Sequence, residues 1–306
     1  MISNLTPSAE AFLANMNRAQ MSVEEASRQV SSGKRVNVAS DAPDEIDAIL
    51  QLHADEARNS QIETNLSLAK TDADTADNAL NSATQLMDRA RVLGAQGATF
   101  TIDATGRQSL ADEVESLLEQ MVAVSQTTVQ GRYIFSGDQD GGPAYTLDLT
   151  QPTGVIAVNT SAATRRVEDP AGGSFAVTQS ASDIFDTSNP DGTPADDNVF
   201  AALNNLRLAL TNNDTDQINA AVQSVQLASN RLNTSQAFYG SVQNRIQDAT
   251  NYANSYDVQL KTELSQKEDA DVTAAAMALN QGNLQLQAAF QMEAKMPRTS
   301  LFDYIG

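Results

Sequence analysis

The sequence predicts a mainly α-helical protein: an elongated nested helical bundle or coiled-coil rod, with the terminal helices paired and a small β-rich insert. Three observations predict it. Apolar residues recur in steps of four and three near both chain ends. A single seam of the same kind runs almost unbroken from Ile218 to Leu264. Only between Tyr133 and about Ser182 does the period change and glycine cluster. A seam stepping by four and three fills one helical stripe and calls for a partner helix. Matching seams at opposite ends suggest that the termini pair with each other, with other subunits, or with both, which points to assembly rather than catalysis.

The first helix is expected from Thr6-Pro7, a threonine N-cap with proline at the first helical position. Its seam is Leu5, Ala9, Phe12, Met16, Ala19, Val23, Ala26 and Val30. It stops before Ser31-Ser32-Gly33-Lys34-Arg35, where Gly33 can turn left-handed and two cations face the helix C-terminus. A second helix follows Ser40-Asp41-Ala42-Pro43, with Ile62, Leu66, Ala69, Ala73, Ala76, Leu80, Ala83, Met87 and Ala90 inward. Its alanines imply close helix packing. Gly94, Gly97 and the Thr99–Ile102 run break the pattern. Thr105 with Gln108 reads as a capping box for a third helix that ends at Gly131.

Tyr133-Ile134-Phe135 is strand-like, and Gly141-Gly142-Pro143, Gly154 and Gly172-Gly173 punctuate short β segments at 155–158 and 174–177. Asn189 to Pro194 is a loop. A short helix carries Val199, Leu203, Leu206 and Leu210, and Asp214 with Gln217 caps the long one. The terminal helix has Val272, Ala276, Leu279, Leu286 and Phe290, with polar Asn283 in the odd slot. The expected division is 1–40 with 268–306 as terminal coiled-coil helices, 41–137 with 196–267 as a helical rod, and 138–195 as the outer β-rich insert.

Composition narrows the function. The 306-residue chain has a formal net charge of −20, which lacks the basic footprint of a nucleic-acid binder and would be repelled by anionic membranes. It has no cysteine, so thiol chemistry, disulfides and cysteine metal sites are excluded. The first residues form no Sec-type signal, and no stretch approaches the roughly 20 apolar residues of a membrane span. Export would use another route.

Chemical motifs are sparse. The single histidine, His53, reads as a helical surface or packing residue. Ser32-Gly33-Lys34 lacks both the earlier glycine and the following hydroxyl of a phosphate loop, with Arg28 and Arg35 in those places. Asp72, Asp74 and Asp77 lie on a helical period without a calcium loop's glycine and read as a solvated face. No catalytic, cofactor or metal residues are expected. The candidate assembly residues are Leu5, Phe12, Met16, Val23, Val30, Val272, Leu279, Leu286 and Phe290.

Specific residues add a resemblance. Ser32, Gly33, Lys34 and Arg35, followed by Ser40, Asp41 and Pro43, resemble the loop after the first helix of flagellins and flagellar hook-filament junction proteins. Gly131, Arg132, Tyr133, Phe135 and Gly137 resemble a strand entry of the junction branch, as does the tail Ser300 to Ile305. Glu268 to Asp271 and Leu284 to Ala288 are shared with both branches. The similarity covers roughly 1–137 and 196–306. Ala42 stands where the family commonly has a second aspartate.

The resemblance implies a structural role at the distal end of the hook, between the first hook-associated protein and the flagellin filament. It also implies self-assembly into a ring or helix, unfolded export through the flagellar type III channel, and a cytoplasmic export chaperone on the C-terminal helix. A short flagellin is the closest alternative. An enzyme carried on the insert, and an unrelated coiled-coil adhesin or secreted effector, are the others.

Overall fold

The computed structural model describes residues 7–159 and 161–295, so Leu5, Thr6 and the tail from Ser300 to Ile305 lie outside the described residues. Among the described residues the chain forms seven α-helices and three two-stranded antiparallel sheets. It divides into two compact units, 1–58 with 256–306, and 59–255.

The first unit holds α1 (Pro7–Ser32) and α7 (Val272–Lys295), which pack on each other, with the first turns of α2 (Ile46–Gly97) and the last turns of α6 (Thr215–Glu268). Asp271 starts α7: its Oδ1 accepts from the amides of Thr273 and Ala274. Behind the loop that follows α1, Val36, Ala42 and Ile49 form a small buried cluster against Leu264. A carboxylate at position 42 would be buried among these apolar side chains, which is a physical reason for alanine here.

The second unit contains most of α2 and α6, together with α3 (Ala104–Ser125), α4 (Ala181–Phe185) and α5 (Val199–Thr211). The alanine-rich α2 stripe is buried as expected, with Leu66, Ala73, Leu80, Ala83, Met87 and Ala90 fully inaccessible. Gly94 does not break α2, which ends at Gly97. A Cβ on either glycine would run into Val222 or Leu210, so their missing side chains set the close approach of α5 and α6. The Thr105–Gln108 capping box is also corrected. The N-cap of α3 is Asp103, whose Oδ1 accepts from the Gly106 amide at 2.8 Å. The predicted cap of α6 holds, with Asp214 Oδ1 accepting from Asp216 and Gln217.

Helix α3 stops at Ser125 rather than at Gly131. Gly131 is instead the second residue of a two-residue turn joining β1 (Thr128–Val129) to β2 (Arg132–Tyr133). Gln130 and Gly131 both have positive φ, 52° and 78°, as such a tight hairpin requires. Of the predicted strand-like run Tyr133-Ile134-Phe135 only Tyr133 lies in the strand, beside Arg132; Phe135 leaves the ladder to enter the core.

Two further hairpins follow, β3 (Tyr145–Leu147) with β4 (Val155–Ala157), and β5 (Arg166–Glu168) with β6 (Ser174–Ala176). Their inward residues Tyr145, Val155, Val167 and Phe175 join the same buried cluster as α2, α3, α5 and α6. Phe135, Phe185, Phe200 and Tyr145 form a chain of ring contacts with centroids 5.0–5.7 Å apart. Burial raises the hydroxyls of Tyr145 and Tyr239 well above the ordinary tyrosine range, so both stay neutral.

Candidate assembly interface

The terminal pair is built around one small residue. Gly282 of α7 is packed so tightly that an added Cβ would come 2.5 Å from Val23 Cγ2 of α1. The half-buried or buried α1 residues Phe12, Met16, Ala19, Val23 and Ala26 face inward, as their spacing predicts. On α7 the buried or half-buried residues are Ala275, Ala276, Leu279, Gly282, Leu286 and Ala289. This keeps Ala276, Leu279 and Leu286 but moves the odd slot from Asn283 to Gly282 and the last position from Phe290 to Ala289. The polar Asn283 is exposed because Gly282, not position 283, fills the seam. Val30, Val272 and Phe290 are 37%, 46% and 56% exposed, at the margin of the pair.

A second stripe was missed by sequence reasoning. Met277, Leu284 and Met292 are each 65% exposed. At 100° per residue, position 277 lies about 160° around α7 from Leu279, so this stripe is on the opposite face. Exposed Leu13 and Met21 add apolar surface on α1. The sevenfold spacing of 277 and 284 was a visible signal, but it competes with the stronger Leu279–Leu286 stripe.

The loop motif after α1 forms a joint within the first unit. Gly33 has φ +72° and its carbonyl accepts from the Ala270 amide. Ser32 Oγ donates to the Arg28 carbonyl and accepts from the Lys34 amide, ending the helix. The Arg35 and Val36 amides both donate to the Glu268 carbonyl, and the Arg35 guanidinium reaches the Lys267 carbonyl and Glu45. Glu268 has a side chain only 9% exposed, yet it is paired: Lys34 Nζ lies 2.6 Å from Oε1 and His53 Nε2 3.2 Å from Oε2. The histidine, expected as a surface or packing residue, lies against a carboxylate, and Ser32-Gly33-Lys34 is a helix end. Asp41 closes the loop by accepting from the Asn37 and Val38 amides, which lowers its pKa below the usual aspartate value. Ser40 and Pro43 are exposed in the same loop.

The 131–137 motif has a structural role in the second unit. Arg132 lies 3.6 Å from Asp72 and 3.4 Å from Asp140, and Arg165 bridges the same two carboxylates at 2.5 and 3.2 Å. Asp72, expected on a solvated face, is 2% exposed in its side chain. Its burial is tolerated because two guanidiniums flank it. Tyr133 is half-buried, and Phe135 is fully buried against Phe185. Gly137 has φ +64°, and a Cβ there would strike the Ala163 carbonyl at 2.5 Å. Among the described residues, no cluster of three or more His, Cys, Asp or Glu could hold a metal ion. No described helix is long and apolar enough to cross a membrane.

Comparison with known proteins gives a consistent picture. The bacterial flagellin N-terminal helical region matches residues 2–140, and the bacterial flagellin C-terminal helical region matches 222–305. Flagellar hook-associated protein 3 of Escherichia coli K12 is 24% identical over 291 residues, covering 90% of each chain. A flagellin of Clostridium tyrobutyricum is 26% identical over 162 residues, covering 53% of this chain and 42% of its own. Among solved structures, a putative flagellar hook-associated protein from Vibrio parahaemolyticus aligns with a TM-score of 0.64 at 15% identity, covering 75% of this chain and all of that one. FlgL of Xanthomonas campestris aligns with a TM-score of 0.59 at 16% identity, over 69% of this chain and 98% of its own. These structures are similar in fold.

Proposed function

Because the chain belongs to the flagellin family, whose two terminal helical regions account for residues 2–140 and 222–305, we propose that it is a structural, non-catalytic component of the bacterial flagellum. It is the adaptor that joins the hook, through the first hook-associated protein, to the flagellin filament. The observation that carries this reading is the breadth of the match. Likeness to hook-associated protein 3 extends over 90% of both chains, whereas likeness to a flagellin of Clostridium tyrobutyricum covers about half of this one.

The mechanism follows from the terminal pair. Gly282 draws α1 and α7 together, and the pair still carries exposed Met21, Met277, Leu284, Phe290 and Met292. Docking against neighbouring subunits buries these side chains, and release of their hydration drives assembly. Each buried aliphatic or aromatic side chain contributes on the order of 1.5–3 kcal/mol. Val30, Val272 and Phe290, exposed at the margin of the pair, form this interface together with the opposite α7 stripe, while Phe12, Met16, Val23, Leu279 and Leu286 serve it by holding α1 to α7. Two different axial neighbours are accepted because a head-to-tail contact uses different surfaces at its two ends. In this reading residues 1–40 with 268–306 serve assembly, 41–137 with 196–267 form the frame, and 138–195 are an insert. The chain is exported by the flagellar type III system, held beforehand by an export chaperone, and located at the hook-filament junction.

Gene deletion tests the proposal. It predicts hooks without filaments and flagellin monomers in the medium; normal filaments on the deletion strain would refute it. The short-flagellin alternative predicts that purified protein, when seeded, grows long filaments by itself.

A further inference from the structure

Methionine is sorted by unit in this chain. Of its eight methionines, Met87 and Met121 are fully buried in the second unit. Met21, Met277 and Met292 are 68%, 65% and 65% exposed, and all three belong to the terminal helices α1 and α7. Met16, in the seam of that pair, is half-buried, and Met1 and Met296 lie outside the described residues. The exposed three are not scattered. At 100° per residue Met277, Leu284 and Met292 fall within an arc of about 80° on α7, and Met21 lies about 160° around α1 from both Ala19 and Val23. Each stands outside the α1–α7 seam.

An exposed thioether has a chemical consequence. The chain has no cysteine and no tryptophan, so methionine supplies all of its sulfur, and the sulfurs open to solvent meet a dissolved peroxide first. The sulfur lone pair attacks one oxygen of hydrogen peroxide. An S–O bond forms and the O–O bond breaks. The sulfur gives up two electrons, and the departing hydroxide takes a proton to become water. The product is a sulfoxide, polar where the thioether was apolar.

We propose that Met21, Met277 and Met292 of the unassembled chain form an oxidation-sensitive site for peroxide, where sulfoxide formation switches off docking through the outer face of the terminal pair and leaves the folded core intact. Placement gives the sulfoxide its effect. Met277 and Met292 flank Leu284 on the stripe whose burial drives assembly. A sulfoxide there has to shed its hydration on docking and returns no apolar burial for it. Met87 and Met121 are inaccessible, so the core of the second unit is spared. The change is also reversible. A methionine sulfoxide reductase, drawing two electrons from a dithiol that becomes a disulfide, restores the thioether and releases the oxygen as water. Docking covers the same sulfurs, so sensitivity ends with assembly. The loss of docking rests on the junction reading, whereas the order of oxidation rests on exposure alone.

The full-length chain, treated with hydrogen peroxide for increasing times, would be mapped by peptide mass spectrometry. Sulfoxide is expected at Met21, Met277 and Met292 several-fold faster than at Met87 and Met121, with native helicity by circular dichroism. Partly oxidised chain would then be mixed with hooks isolated from the deletion strain, and the hook-bound and free fractions mapped separately. Sulfoxide at the three positions should be several-fold depleted in the bound fraction, and binding by fully oxidised chain should return after treatment with reductases for both sulfoxide epimers. Oxidation of buried and exposed methionines at one rate would overturn the site. Bound and free fractions equally rich in sulfoxide at the three positions would overturn the switch while leaving the junction role intact. Untreated chain that binds no hook would refute the junction role and the switch with it, whatever the order of oxidation.

Discussion

Gly282→Ala probes whether the two terminal helices meet as closely as their geometry requires. In an isolated helix the change would help, since alanine is favoured over glycine by about 1 kcal/mol. Here the new methyl would lie 2.5 Å from Val23 Cγ2, with Val23 Cβ at 3.7 Å and the Ala19 carbonyl oxygen at 3.8 Å. Valine is held in one rotamer on a helix and cannot swing aside. Overpacking of this sort costs about 1–3 kcal/mol, so the net effect is a loss of about 1 kcal/mol, or roughly fivefold in the local opening equilibrium. Hydrogen exchange of α1 and α7 peptides, followed by mass spectrometry, reads that change as faster exchange in both helices. The sign should reverse in a Val23→Ala background, where the clash is gone and the same glycine-to-alanine step should stabilise by about 1 kcal/mol. Slower exchange for Gly282→Ala in the Val23 background would refute the close approach of α1 and α7.

Other perturbations separate the remaining parts. Met87→Ala removes a fully buried side chain from the main core and should cost about 2–5 kcal/mol, seen by calorimetry as a lowered Tm of the second unit. Asp72→Ala strips the shared carboxylate from Arg132 and Arg165; with both guanidiniums partly solvated the loss should be about 1–3 kcal/mol by urea titration, and Asp140→Ala should cost less because its side chain is 30% exposed. The Asp41 carboxyl is depressed by the Asn37 and Val38 amides. Its contribution is therefore complete above the ordinary aspartate pKa and lost as pH falls through the lower folded value. An NMR titration should show the Asn37 and Val38 amides shifting in that acidic window, and Asp41→Asn should abolish the shift.

The helices were legible in the chain because burial imposes a period, and a period survives in a linear string. The start of α1 at Pro7, the alanine stripe of α2, the Asp214 cap of α6 and the strands at 155–157 and 174–176 could all be read that way. The loop motif around Gly33 and the 131–137 motif were visible as residue patterns, but their work was not. That Gly33 meets Ala270, and Arg132 meets Asp72, depends on contacts between residues far apart in sequence.

Small residues mark the boundary between the two kinds of knowledge. Local rules read Gly94 as a helix breaker and gave Gly282 no role, because glycine has poor intrinsic helix propensity. Packing reverses that: each occupies a place where a Cβ would collide with a side chain of another helix. The sequence by itself determined which segments are helical and which faces are apolar, since both follow from spacing along one chain. Only the tertiary structure decided which apolar residues are satisfied and which, like Phe100 and Leu284, are left exposed. Burial belongs to pairs of surfaces, and one strand of sequence carries only half of each pair.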